Sequence, residues 1–383
     1  RGGGRDGEDG RGRPDAGARG SKDEAFSVEL TRRQFIMLMA YALFANERCR
    51  RKHLRDFVIS CELREQRTSM TILFGGTSGC GKSTLASLMA SRLGVTTVLS
   101  TDFVRHMLRR NATQEQAPLL YASTYTAGQC MSEEEVERFR AGRPELSLED
   151  ARVLAGYEGQ SRLIFDSLER VITAYESRRE CLIVEGVHLS TETMAGLMRR
   201  HPSCIPFLVY ISNAAKHKER FAVRAKYMAL DSRSNRYVKH LDNIRVIQKN
   251  LEEGADRLQI PKIDNTNMDR SLGTIHAVAL KCLRKRFKGA PLWDESKGHC
   301  NVIQAAYEQH HLDAWSSKAM LRTIRSKISK GEVLKRYLDT LPGAALHGRP
   351  SPPASPSVAA PRLPSDDVAP LPRRRVHSTT DIV

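Results

Sequence analysis

The run Gly76-Thr77-Ser78-Gly79-Cys80-Gly81-Lys82-Ser83-Thr84 combines spaced glycines, one lysine and several hydroxyls. It fits G-x-x-x-x-G-K-[ST], a pattern that cradles phosphate groups. Glycines let consecutive backbone N–H groups turn toward phosphate oxygens, and a following helix N-terminus adds partial positive charge. Lys82 would reach the β- and γ-phosphates, and the Ser83 hydroxyl would help hold Mg²⁺. The ligand this chemistry implies is a nucleoside triphosphate, ATP with Mg²⁺, contacted along Gly76–Thr84.

Two acids further along have spacing that suits such a ligand. Ser100-Thr101-Asp102-Phe103-Val104-Arg105 follows a short apolar run. A carboxylate at the end of a parallel strand lies where ligands bind in such sheets, so Asp102 would orient and deprotonate an attacking hydroxyl. Asp is also favoured as a helix N-cap, which is the competing role. Arg105, one turn later, would hold an anionic group of the substrate. Ile183-Val184-Glu185-Gly186-Val187-His188 is an apolar run ending in an acid. Glu185 is placed to hold Mg²⁺ or its water, and His188 to line the substrate pocket.

Residues 216–245 are the densest basic region. Nine Lys and Arg face only Glu219, Asp231 and Asp242, a local charge of +6. A lid here would bring Arg233 and Arg236 to the transferring group and Arg224 to the substrate. A solvated basic helical face is the plainer reading of any one of them. Asn265, in Pro261-Lys262-Ile263-Asp264-Asn265-Thr266-Asn267, would hydrogen-bond an adenine or simply belong to a turn and cap.

These residues need a scaffold, and the hydropathy pattern supplies one. Apolar runs at Met70–Phe74, Thr96–Leu99, Cys181–Val187, Ile205–Ile211 and Leu258–Ile263 read as strands. Helical periodicity fills Thr84–Leu93, Asp102–Arg110, Ala151–Arg179, Thr191–Arg200, Asn213–Ala229, Arg236–Leu251 and Asp269–Phe287. Alternation of this kind predicts an α/β fold with a mainly parallel five-stranded sheet and helices on both faces. It suits a nucleoside-kinase-like P-loop NTPase with a helical lid. Residues 111–150, including Tyr121-Ala122-Ser123-Thr124-Tyr125, interrupt the alternation and predict a substrate-side flap.

Outside this core, 26–66 predicts a small helical N-terminal extension, with Thr31 and Gln34 as a capping box. Residues 69–290 form the kinase-like domain and 291–342 a helical appendage. Residues 1–25 are Gly- and Arg-rich and 343–383 Pro- and Ser-rich, and both are expected to be disordered. The chain starts at Arg1, which reads as a fragment or processed chain.

The 383 residues carry a net charge of +17. Residues 1–24 balance six basic against six acidic residues, while 291–342 and 343–383 carry +2 each, so +13 lies on 25–290. A basic core suits an anionic ligand. Aromatic content is 6% and basic residues lack interleaved aromatics, which weighs against single-stranded nucleic acid. Eight cysteines stand singly, without C-x-x-C or zinc spacing, as expected of reduced thiols in an intracellular, cytoplasmic protein. Cys80 reads as a variable loop position rather than a redox switch. With every apolar run shorter than 18 residues, no membrane span is expected.

The chain resembles the 2-phosphoglycerate kinase family, found in archaea, with plant relatives tied to phytic acid levels. The resemblance runs from about Met70 to Lys285. It rests on residues 75–84, 100–105, Ile-Val-Glu-Gly-Val-His-Leu at 183–189, Arg-Tyr-Val-Lys-His-Leu-Asp-Asn-Ile-Arg-Val-Ile-Gln at 236–248, and 263–267. It implies ATP-dependent phosphorylation of 2-phosphoglycerate to 2,3-bisphosphoglycerate. An inositol phosphate would satisfy the same basic lid. The rivals are a polynucleotide kinase and an ATP-binding scaffold without turnover. For the scaffold, Arg373-Arg374-Arg375-Val376-His377-Ser378 resembles a kinase target that would recruit a phospho-dependent partner.

Overall fold

The computed structural model describes residues 28–45, 51–227 and 239–312. The chain divides into two compact units between Leu54 and Arg55. In the first, α1 (Arg32–Ala45) starts at the expected cap. Thr31 Oγ1 accepts the Gln34 N–H at 3.3 Å, and Gln34 Oε1 accepts the Thr31 N–H at 2.9 Å. The division falls inside α2 (Arg51–Arg64), earlier than the expected boundary near 66. The reason is local. Ile59 is buried in the core of the larger unit, and Asp56 Oδ2 pairs with Arg284 Nη2 at 2.7 Å.

The larger unit is built on a five-stranded sheet in the order β2-β3-β1-β4-β5, every pairing parallel. Its strands are β1 (Met70–Gly75), β2 (Val98–Ser100), β3 (Cys181–Gly186), β4 (Cys204–Tyr210) and β5 (Lys262–Asp264). The central strands are nearly continuous apolar runs because helices cover both faces. β1 is buried along its whole length. Register then fixes the chemistry. Glu185 lies beside Phe74 on one neighbour and Ser100 on the other, so three chain segments converge at one sheet edge.

Among the described residues, the helices of this unit include α3 (Lys82–Leu93), α4 (Thr101–Leu108), α5 (Pro118–Tyr121), α6 (Glu133–Ala141), α7 (Leu148–Ser177), α8 (Thr191–Arg200), α9 (Ala214–Tyr227), α10 (Leu241–Leu258) and α11 (Met268–Arg286). The expected flap is α5, a 3₁₀ turn (Ala127–Cys130) and α6, all packed along α7. A Ser132–Glu135 capping box starts α6.

The fifth strand departs from expectation. Leu258 ends α10, Gln259 takes a left-handed φ of 55°, and Ile260 closes the helix by bonding Ala255 O at 2.8 Å. Leu258 and Ile260 are buried at a helix end, which imitates a strand in the sequence. Of the expected helical appendage at 291–342, the described residues 291–312 pack on this unit. Leu292, Trp293, Cys300 and Ile303 join the same core, and Tyr307 Oη donates to Lys262 O at 2.7 Å. Among the described residues, no helix is long and apolar enough to cross a membrane.

Candidate active site

The glycine loop joins β1 to α3 as strand–loop–helix. Gly79 and Gly81 take φ of 79° and 83°, a left-handed backbone that side chains rarely adopt. Even with space, a Cβ at Gly81 would sit 2.7 Å from Asn265 Nδ2 and one at Gly79 2.7 Å from the Phe221 ring. These neighbours form a brace. Asn265 Nδ2 donates to Cys80 O at 2.8 Å, Arg220 donates to Cys80 O at 3.3 Å, and His217 Nε2 bonds Ser78 O at 2.8 Å. His217 stacks on Phe221 with centroids 4.9 Å apart. The Ser78 and Cys80 carbonyls are thus turned toward α9 and Asn265.

Asn265 is fully buried with its nitrogen committed to the loop, so it braces the cradle instead of reaching a base. The cap of α11 is Asn267. Cys80 is buried and its Sγ donates to Thr77 O at 3.0 Å. Burial holds this thiol above its ordinary value, against the pull of Lys82. A buried packing position accounts for both facts.

At the sheet edge Ser83 Oγ donates to Glu185 Oε2 at 3.0 Å, and Lys82 Nζ lies 4.0 Å from the same oxygen. Lys82 and Glu185 are both buried. A buried carboxylate, a hydroxyl and an ammonium meeting at the mouth of a glycine loop are a donor set suited to phosphates with a hard cation. The residues present therefore fit Mg-ATP. Gly186 is needed for this convergence, since a Cβ there would collide with the Thr101 side chain.

Beside the loop lies a cavity of about 330 Å³, lined by Ser78, Asp102, Arg105, Arg109, the 121–125 segment, Val187 and His240. Asp102 is not the helix cap. Ser100 caps α4, accepting the Asp102 N–H at 3.2 Å, and the Asp102 carboxylate stays 58% exposed. Arg105 Nη2 is 3.4 Å from Asp102 Oδ1. Arg105 Nη1 donates to Ala122 O, Thr124 Oγ1 and Gln160 Oε1 at 3.2–3.3 Å, so it shapes the wall as well as charging it.

His188 was expected to line this cavity and instead lies behind its wall, fully buried. The Gln160 amide nitrogen donates to Leu119 O and Ala122 O, which fixes Gln160 Oε1 as an acceptor. His188 Nε2, 2.9 Å away, must then carry the proton, and Nδ1 accepts from Thr101 Oγ1 at 3.1 Å. Burial, reinforced by Arg105, Lys82 and Arg109, pushes this histidine well below its ordinary value. It is held neutral in the fold, whereas the unfolded chain takes up a proton below about pH 6.5. The stability this contributes is complete above that pH and lost at about 1.4 kcal/mol per pH unit as pH falls toward the depressed value. Thermal melts from pH 7 to pH 5 should show this slope, flattened in His188→Gln.

The structure brings Lys82, Ser83 and Glu185 together, and places Asp102 and Arg105 together a short way off. Arg233 and Arg236 lie outside the described residues, as does the side chain of Arg224 and both tails. Arg245 of the basic run bonds Ile211 O at 2.8 Å and does not line the cavity. Sequence reading missed Arg109, Tyr125, Gln160, His217 and His240. Arg109 had a signal, since it follows Arg105 by four residues on one helix face. Its Nε bonds Leu120 O at 2.7 Å, and its terminal nitrogens have no hydrogen-bond partner among the described residues.

Comparison with known proteins finds similar sequences and folds. A family model described as an AAA domain matches residues 71–151. An uncharacterized protein of Dictyostelium discoideum is 46% identical over 79% of this chain and 35% of its own length. A 2-phosphoglycerate kinase of Methanopyrus kandleri is 30% identical over 56% of this chain and 61% of its own. One from Thermococcus kodakarensis is 28% identical over 61% and 74%. The chain thus spans about a third of the first relative and under two thirds of the second. Among solved structures, shikimate kinase from Acinetobacter baumannii aligns over 56% of this chain and 94% of its own, with 16% identity and a TM-score of 0.31. The parallel sheet with a glycine loop between β1 and α3 is a P-loop fold, which implies nucleotide binding.

Proposed function

We propose that the protein is a phosphotransferase that moves a phosphoryl group from ATP to the hydroxyl of a small anionic acceptor, 2-phosphoglycerate being the acceptor favoured by its relatives. One observation carries this reading. The cavity that shares Ser78 with the glycine loop also holds a half-exposed carboxylate, Asp102, beside Arg105, with Arg109 in the same lining. A volume of about 330 Å³ is at the small end for ligand sites, which suits a small acceptor better than a polynucleotide.

Each residue then has a role. Gly76–Thr84 and Lys82 hold the terminal phosphates, and Ser83 with Glu185 holds the cation. Asp102 orients the acceptor hydroxyl and takes its proton. Arg105 and Arg109 hold the acceptor's anionic groups, Arg109 with its open nitrogens. Arg224, Arg233 and Arg236 are proposed to add positive charge over the group in transit. Bound Mg-ATP supplies the phosphoryl group and neutralises part of its charge.

The test offers 2-phosphoglycerate, 3-phosphoglycerate, an inositol phosphate and a 5′-hydroxyl RNA separately, with ATP. Consumption with 2-phosphoglycerate is expected, and Arg109→Gln should raise its KM by about tenfold or more, the loss of one charged hydrogen bond. Consumption with the inositol phosphate alone moves the acceptor to that class. RNA turnover with steep salt dependence would make the enzyme a polynucleotide kinase. ATP binding without consumption across the panel would favour a scaffold.

A further inference from the structure

Tyr125 stands where the glycine loop meets the acceptor cavity. Its hydroxyl accepts the Ser78 backbone N–H at 2.9 Å and donates to Ser78 Oγ at 2.6 Å. The phenol hydrogen is therefore committed, while the hydrogen of the Ser78 hydroxyl has no acceptor among the described residues. Ser78 is half-buried and lines the cavity.

The position of this pair is fixed from several sides. His217 Nε2 holds the Ser78 carbonyl at 2.8 Å, and Asn243 Nδ2 holds the Tyr125 carbonyl at 2.7 Å. Tyr125 itself is only 5% exposed. A buried tyrosine hydroxyl usually finds some partner. Here two bonds of the hydroxyl go to one loop residue, and that residue faces the acceptor cavity. The sequence N–H to phenol to serine hydroxyl is a chain in which each donated bond strengthens the next.

We propose that Tyr125 is a positioning residue that makes the Ser78 hydroxyl a hydrogen-bond donor to the phosphoryl group as it passes from the glycine loop to the acceptor. The proposal rests on the phosphotransferase reading. Ser78 belongs to the loop that would hold the donor phosphates and to the wall that would hold the acceptor. A group moving between the two passes it, and charge building on that group is what such a donor stabilises.

Tyr125→Phe keeps the ring and removes the hydroxyl. Its kcat should fall about tenfold, short of the hundredfold or more that loss of a direct donor costs and that Ser78→Ala should show. The acceptor KM and the ATP Kd should stay within about twofold, because the bond strengthens only in transit. The double variant should be no slower than Ser78→Ala alone, since Tyr125 acts through Ser78. A turnover-free arm measures ADP binding by calorimetry with and without aluminium fluoride, a mimic of the phosphoryl group in transit. Tyr125→Phe should weaken the fluoride complex about tenfold and leave ADP alone unchanged. Should the wild type transfer to none of the acceptors, the phosphotransferase reading fails while the calorimetric arm still decides the role of Tyr125. Wild-type behaviour of Tyr125→Phe, an additive double variant, or an effect confined to melting temperature or to acceptor KM would overturn the proposal.

Discussion

Replacing Lys82 with alanine is expected to abolish phosphoryl transfer, lowering turnover by about a thousandfold or more. The physical case starts from burial. Lys82 is 8% exposed, its ammonium 3.5 Å from Thr77 O and 4.0 Å from Glu185 Oε2. In the proposed site this is the charge that meets the terminal phosphates from within the glycine loop. Arg220, which reaches the loop from α9, is already bonded to the carbonyls of Cys80 and Asn265. The substitution also leaves the buried Glu185 carboxylate with the Ser83 hydroxyl but without its ammonium, so some loss of melting temperature is expected as well. Steady-state rates, paired with melts to show that the variant is folded, check both parts. Lys82→Met, which keeps most of the aliphatic stem, should be equally inactive and better folded.

Asp102→Asn should separate binding from chemistry. The carboxylate lines the cavity and makes no contact with Lys82, Ser83 or Glu185 among the described residues. ATP affinity should therefore change little. Turnover should fall by about a hundred- to ten-thousandfold, the range for losing a positioned general base. The amide is nearly isosteric with the carboxylate, and α4 keeps its Ser100 cap, so the fold should persist. Comparison of ATP Kd by calorimetry with kcat reads the separation directly. Full activity in Asp102→Asn would remove the base assignment while leaving the donor loop untouched.

The parts of the site that were legible in the sequence are those written locally. Strand, glycine loop and helix follow one another without interruption from Met70 to Leu93. The acids Asp102 and Glu185 each stand at or just past a strand end, which an apolar run announces. The brace and the wall are different in kind. His217 meets Ser78 across 139 residues and Tyr125 meets it across 47, and neither distance leaves a periodic trace. Gln160 sits in the middle of a 30-residue helix, where nothing marks it as the acceptor that sets the His188 tautomer. In the sequence Asn265 and His188 look like ligand contacts, because polar residues after strands often are. The fold used both to hold other groups in place. The fifth strand was misplaced for a packing reason, since buried Leu258 and Ile260 close a helix instead of entering the sheet.

The central claim is that the glycine loop and the cavity beside it are the donor and acceptor halves of one transfer site. The most direct measurement follows the label from ATP carrying a radioactive γ-phosphate, incubated with 2-phosphoglycerate and the full chain. Label is expected to appear in a bisphosphorylated acid, and Asp102→Asn is expected to suppress it. Label found only in inorganic phosphate, or ATP bound and left intact with every phosphorylated acceptor offered, would contradict it.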